Sequence, residues 1–172
     1  MEESDAGREE RLYEPIKAAL QEKFRAKGIC MLEIAARQIS DDVKKRFPST
    51  SLLFLKRENM FPDMIGYLEL RGLLFKMTKR VVVEVKIGQM TLSDIYQLKM
   101  YAEVLGSYYA FLISPSDLRE EQKHDIANSL GVLTFNGGLG RGEISIMHFV
   151  DGTLSLDEEL CKRNPFAHEF VL

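Results

Sequence analysis

The sequence predicts an α/β domain in which a mixed central β-sheet is flanked by helices on both faces, and three observations lead there. Short apolar runs of strand length, such as Val81-Val82-Val83 and Tyr108 to Ile113, alternate with stretches whose apolar residues recur at helical spacing. The resulting order is helix, strands, helix, strand, helix, strand, which implies one sheet with helices laid over both faces. The chain has 172 residues, 45% hydrophobic and 28% charged, enough for one core and ordinary for a soluble protein. A single domain over 1–172 is expected, with a core at about 10–135 and a C-terminal extension at about 136–172.

Each element has its own signal. Leu12, Ile16, Ala19, Leu20 and Phe24 recur at helical spacing and Gly28 stands where a helix stops, predicting a helix at about 10–27. Ile29 to Ala36 reads as a strand, and Ser40 before Asp41, Asp42 and Val43 as the N-cap of a short helix reaching Phe47. One long helix through Ile29, Leu32, Ala36, Ile39 and Val43 is the alternative. After the turn Pro48-Ser49-Thr50, the runs Leu52 to Leu55, Phe61 to Leu70 and Val81 to Ile87 read as a three-stranded meander, with Arg71-Gly72 as a turn. Thr91 and Asp94 have the spacing of a capping box, and Ile95, Leu98, Tyr101, Ala102 and Leu105 form a helical stripe that Gly106 ends.

Tyr108 to Ile113 is the next strand, joined to the Val81 strand by a right-handed parallel crossover. Ser114-Pro115-Ser116-Asp117 reads as the start of a helix running to about Leu130. Gly131 to Phe135 and Ile144 to Val150 read as strands separated by a glycine-rich flexible hairpin loop, 136–142. A short helix near 156–162 and an apolar end, Phe166, Phe170, Val171 and Leu172, complete the chain.

Two charged fragments interrupt the apolar strands: Pro62-Asp63, opening one, and Glu84-Val85-Lys86, closing the valine run. Strand side chains alternate, so Glu84 and Lys86 share one face while Val81, Val83 and Val85 share the other. Charges on a largely buried strand are costly unless they are paired or hold a metal. Antiparallel pairing across residues 71–79 would bring Asp63, Glu84 and Lys86 to one edge of the sheet, where two carboxylates suit magnesium and an ammonium can offset charge on a phosphate. Taken singly, Asp63 reads as a turn residue, Glu84 with Lys86 as a same-face ion pair, and Gln97 with Tyr101 as partly buried helix residues. Their joint placement points to chemistry.

The set resembles the PD-(D/E)XK nuclease superfamily. Pro62-Asp63, a gap of about twenty residues and Glu84-Val85-Lys86 follow its signature, and Gln97 with Tyr101 on the next helix looks like the Q-x-x-x-Y element of its RecB-type branch. The resemblance covers roughly the first two thirds of the chain and implies a restriction-endonuclease-like core of order αβββαβ. It implies hydrolysis of nucleic-acid phosphodiester bonds with Mg2+ or Mn2+. Asp63 and Glu84 would be metal ligands with the Val85 carbonyl as a third, Lys86 would position the attacking water, and Gln97 and Tyr101 would support the site or touch substrate. The family often adds a glutamate from its first helix, for which Glu14 is the candidate here, Glu22 lying two turns further on.

Other features narrow the field. Net charge is −3, which argues against coating nucleic acid through bulk positive charge, so contacts would come from a local patch such as Lys76, Lys79, Arg80 and Lys99, or from Arg141 in the glycine run. Cys30 and Cys161 match no zinc or disulfide pattern and read as buried thiols, and His124, His148 and His168 read as structural or solvated. The glycine run fits neither a dinucleotide fingerprint nor a P-loop, and Ser93 and Ser114 read as caps rather than nucleophiles. No apolar run reaches membrane-spanning length and the first eleven residues do not resemble a signal peptide, so a cytoplasmic protein without a membrane partner is expected. DNA is the expected partner, with a homodimer or a protein partner as further expectations. The rival readings are a catalytically inactive nuclease-fold module serving as a nucleic-acid-binding or scaffold subunit, and an unrelated α/β domain with a purely structural charged pair.

Overall fold

A computed structural model describes residues 5–70, 77–129 and 131–167. The chain begins with α1 (Asp5–Phe24), β1 (Gly28–Ile34), the short α2 (Asp41–Lys44) and α3 (Ser49–Arg57). There follow β2 (Met64–Leu70), β3 (Met77–Val85), α4 (Leu92–Val104), β4 (Tyr109–Ser114) and α5 (Glu120–Asn128). The last elements are β5 (Thr134–Gly137), β6 (Gly140–Val150) and β7 (Thr153–Leu156). The seven strands form one mixed sheet of order β1-β2-β3-β4-β6-β5, with β7 also paired to β6. Arg71-Gly72, Lys76, Leu130, His168, Phe170, Val171 and Leu172 lie outside the described residues.

The valine run explains why β3 sits in the middle. Val81, Val83 and Val85 bury against Ile16, Leu20 and Phe24 of α1, whereas Val82 faces the opposite layer with Ile95, Leu98 and Ala102 of α4. A strand apolar on both faces belongs between two helical layers, each fully buried valine contributing roughly 1.5–3 kcal/mol. β1, β2 and β3 are antiparallel neighbours, and β3–α4–β4 joins two parallel strands. α4 begins at the Thr91–Asp94 capping box and ends before Gly106, whose φ of 59° is the left-handed conformation a helix stop uses. Among the described residues no helix is long and apolar enough to cross a membrane.

Several expectations are corrected. Leu52 to Leu55 is not a strand but part of α3, where Leu55 is buried in the core, Leu52 packs partly against it, and Leu53 and Phe54 face solvent; the outer place in the meander is taken by β1. The single long helix through Ile29 does not form, because alternate residues Cys30, Leu32 and Ile34 bury at strand period. Ser114 does not cap a helix: it ends β4, and its hydroxyl donates to the Gly88 carbonyl while accepting from the Ser116 N–H, so α5 starts only at Glu120. No helix forms at 156–162, since Asp151-Gly152, both at positive φ, reverses the chain into the β6–β7 hairpin.

The glycine run forms the hairpin expected of it, with strand pairing that extends into the run itself. Asn136 and Gly137 of β5 pair with Arg141 and Gly140 of β6. Gly142 answers to packing, since a Cβ there would lie 2.3 Å from Cζ of the buried Phe135 ring, whereas Gly140 has open space around it and a φ of 109°. Gly142→Ala is therefore expected to cost on the order of 2 kcal/mol in denaturant unfolding, with a smaller cost when Phe135 is already truncated. Equal costs in the two backgrounds would show that the ring is not the obstacle.

Candidate functional site

β2 and β3 pair so that Met64 faces Val83, and one step further the same register sets Asp63 opposite Glu84. Asp63 precedes β2, while Glu84 and Lys86 lie at the carboxyl end of β3. The Asp63 carboxylate bends back into the ladder: Oδ2 accepts the Val85 N–H at 2.6 Å and Oδ1 accepts the Tyr13 hydroxyl at 2.6 Å. Its position is thus fixed by the backbone of β3 and by α1 together. Lys86 Nζ lies 2.9 Å from Glu84 Oε1, leaving Glu84 Oε2 buried without a hydrogen-bond partner.

Helices from both faces close this end of the sheet. From α1 comes Tyr13, whose hydroxyl is also 3.3 Å from Glu9 Oε1. From α4 comes Tyr101, on which Gln97 Nε2 donates at 3.0 Å; the pair, one helical turn apart, is joined as its spacing suggests. Asp63, Glu84, Val85, Lys86, Gln97 and Tyr101 therefore occupy one end of the sheet. Glu14 does not join them: it faces solvent and pairs with Arg37 at 2.6 Å and Lys17 at 2.6 Å. Glu9 stands there instead, one turn before Tyr13. Sequence reading placed Glu9 ahead of the helix, but the spacing Glu9, Tyr13, Ile16, Leu20 carries the buried stripe back to it.

Electrostatics follow from this crowding. Burial, then the charge of Asp63, pushes the Glu84 carboxyl up to about 7 against the pull of Lys86. Burial also raises Asp63, opposed by its hydrogen bonds from Tyr13 and Val85 and by the Lys86 charge. Burial and then Asp63 raise Glu9. For Lys86, burial pulls downward but the hydrogen bond and charge of Glu84, with Glu9 and Asp63, win, so its ammonium is held above the ordinary range. Tyr101 is raised by burial and by the charges of Glu84 and Asp63, and Tyr13 by burial and its bond to Asp63, so both phenols keep their protons. Three carboxyl groups against one ammonium, with one buried oxygen unpartnered, form a cluster that lacks positive charge. Its donors are all oxygens, which fit a hard divalent cation such as Mg2+.

Of the expected basic patch, the described members Lys79, Arg80 and Lys99 are engaged within the chain. Lys79 is buried against the Tyr108 ring, the Arg80 guanidinium bonds the carbonyls of Arg46 and Gly106, and Lys99 donates to the Gly131 carbonyl at 3.1 Å. Arg141 is exposed on β6 and bonds Thr134 Oγ1 at 3.1 Å. Both cysteines are buried, and burial pushes each thiol up to about 12. His124 is exposed, but His148 is not a solitary residue: Asp117 and Asp157 flank its ring, a grouping no local spacing announces because the three come from separate turns and strands. Comparison with family models, curated proteins and solved structures finds no match to this chain.

The raised Glu84 carboxyl couples the protein's stability to pH. A carboxyl whose folded-state pKa lies above its unfolded value of 4.5 binds more protons folded than unfolded, so stability falls as pH rises from there to about 7. Unfolding by denaturant near pH 5 and near pH 8 is expected to differ by up to about 3 kcal/mol from this group, and Glu84→Gln to remove that share. The same pH slope in both proteins would show that another group is responsible.

Proposed function

We propose that this chain is a metal-dependent nuclease of restriction-endonuclease-like fold, hydrolysing phosphodiester bonds of DNA. The observation that carries the reading is the buried Glu84 Oε2, left without a partner beside Asp63 and facing a local excess of negative charge. The element order lends it support, since α1, β1, β2, β3, α4 and β4 come in the αβββαβ sequence that the motif implies, with α2 and α3 inserted between β1 and β2.

Asp63 and Glu84 would hold the ion, with the Val85 carbonyl as the third donor the resemblance implies. When bound, a divalent ion polarises the phosphate and lowers the pKa of a water. The chain's own groups supply the rest. Lys86 stays protonated, so it acts as a donor and positive charge, orienting the attacking water and offsetting charge that develops on a phosphate oxygen. Tyr13 and the Val85 N–H hold the Asp63 carboxylate in one orientation. Gln97 bonds the Tyr101 oxygen, which leaves the phenolic proton free to donate toward the acidic cluster or a substrate oxygen. Glu9 would add a carboxylate from the first helix, the role the motif alone assigns to Glu14.

The rival reading, a nuclease-fold binding or scaffold module without activity, is favoured by the net charge of −3, by basic residues near β3 that are engaged within the chain, and by both Asp63 oxygens already carrying hydrogen bonds. Assay of the purified protein on DNA and RNA with Mg2+ or Mn2+ separates the two. Cleavage of DNA is expected, with Asp63→Asn and Lys86→Ala each lowering the rate by about a hundredfold or more. Glu9→Gln is expected to cost at least about tenfold more than Glu14→Gln. Absence of cleavage together with no Mg2+ or Mn2+ binding would favour the scaffold, and undiminished cleavage by both the Asp63 and Lys86 variants would overturn the site.

A further inference from the structure

We propose that Asp117, His148 and Asp157 form a second cation site, one that takes a transition-metal dication such as zinc, and that the Lys123 ammonium is its internal occupant when no metal is bound. One donor atom from each of the three side chains lies within 4.8 Å of the others, close to the span a single ion bridges when its ligands stand about 2.0–2.2 Å away. His148 Nε2 is 3.3 Å from Asp157 Oδ2 and 3.6 Å from Asp117 Oδ1, so the ring nitrogen faces both carboxylates.

The donors are held by the backbone independently of one another. Asp157 follows β7, and its Oδ1 accepts the N–H groups of Glu159 and Leu160, each at 3.1 Å, leaving Oδ2 to point at the histidine. Asp117 lies in the loop before α5 and takes the Leu118 N–H at 2.8 Å. His148 stands on β6, paired on one side with Ser114 of β4 and on the other with Ser155 of β7. Such backbone anchoring of ligating groups keeps a site's geometry in place before an ion arrives.

A separate observation shows that the focus of this group attracts a cation. Lys123, from α5, places Nζ 2.9 Å from Asp117 Oδ2, 3.5 Å from Asp157 Oδ2 and 3.9 Å from Glu159 Oε2. Three carboxylates thus converge on one ammonium, leaving an excess of negative charge that a dication would match better than a single lysine. Asp117 is half exposed while the Asp157 side chain is 3% exposed, so the group has an open side and a buried base. An imidazole among carboxylates suits zinc better than magnesium, unlike the all-oxygen cluster around Asp63. The two groups lie at the same end of the sheet, one at the carboxyl end of β3 and the other at those of β4 and β6. The second does not depend on the nuclease reading of the first.

Calorimetric titration with zinc chloride alone tests the site on the full chain, using wild type, His148→Ala, Lys123→Met and Asp63→Asn, each checked for folding by circular dichroism. Zinc is expected to bind this site about tenfold or more weakly in His148→Ala, several-fold more tightly in Lys123→Met, and with unchanged affinity in Asp63→Asn, which removes only zinc held by the Asp63 cluster. Cobalt substitution gives a second readout, a ligand-field spectrum that His148→Ala alters in the still-folded protein. Zinc affinity unaffected by His148→Ala, or lost in Asp63→Asn instead, would overturn the assignment. Unchanged affinity in Lys123→Met would remove Lys123 as the competing occupant.

Discussion

The hydrogen bond from the Val85 N–H to the Asp63 carboxylate is the contact on which the candidate site rests. It continues the β2–β3 pairing one step beyond the last ladder residues, using a side chain where a backbone carbonyl would otherwise stand. Asp63 is thereby held opposite Glu84 while its own carbonyl accepts the Ala35 N–H at 2.8 Å, tying the start of β2 to the end of β1. A slip of one residue in this register would turn Glu84 and Lys86 onto the α1 face and the valines onto the α4 face. The burial of Val81, Val83 and Val85 beneath α1 opposes that slip, so the apolar core is what places the charged residues.

The cost of burying Glu84 is shared among its neighbours. Lys86 supplies a charge and a hydrogen bond, yet Asp63 and Glu9 return negative charge to the same space, and the balance leaves Glu84 far above the ordinary carboxyl range. A buried pair designed only for stability would satisfy both carboxylate oxygens. The contrast with Asp157 is instructive: equally buried, it has both oxygens engaged, one by backbone N–H groups and one by His148 and Lys123. One end of the sheet thus holds two acidic groups, each with a lysine ammonium, of which only the Glu84 group leaves a buried oxygen without a partner.

Motif residues and fold residues were legible to different degrees. The strand at β3, the capped helix α4 and the Gln97–Tyr101 pair rest on local patterns, namely a β-branched run, a capping box and a four-residue spacing, and each forms where its pattern lies. α3 was misread because a four-residue apolar run fits strand and helix alike, and only β1's occupation of the sheet edge decides between them. The glycines at 137–142 signalled flexibility by composition, but the Phe135 ring lying against Gly142 leaves no room for a side chain there. Basic residues near β3 suggested a phosphate patch, but whether a lysine points to solvent or into a tyrosine ring is not written in its neighbours.

From its own residues the sequence determined the class of fold, the central strand and the grouping of Asp63, Glu84 and Lys86, because alternation along strands and spacing along helices are local geometry. Only the tertiary structure decided that Glu9 and Tyr13, rather than Glu14, face that group, since the answer depends on how α1 is rotated over the sheet. It alone gathered Asp117, His148 and Asp157, which reach one place because β6 pairs with both β4 and β7. Contacts between residues distant in sequence arise from packing and strand order, and neither leaves a local trace.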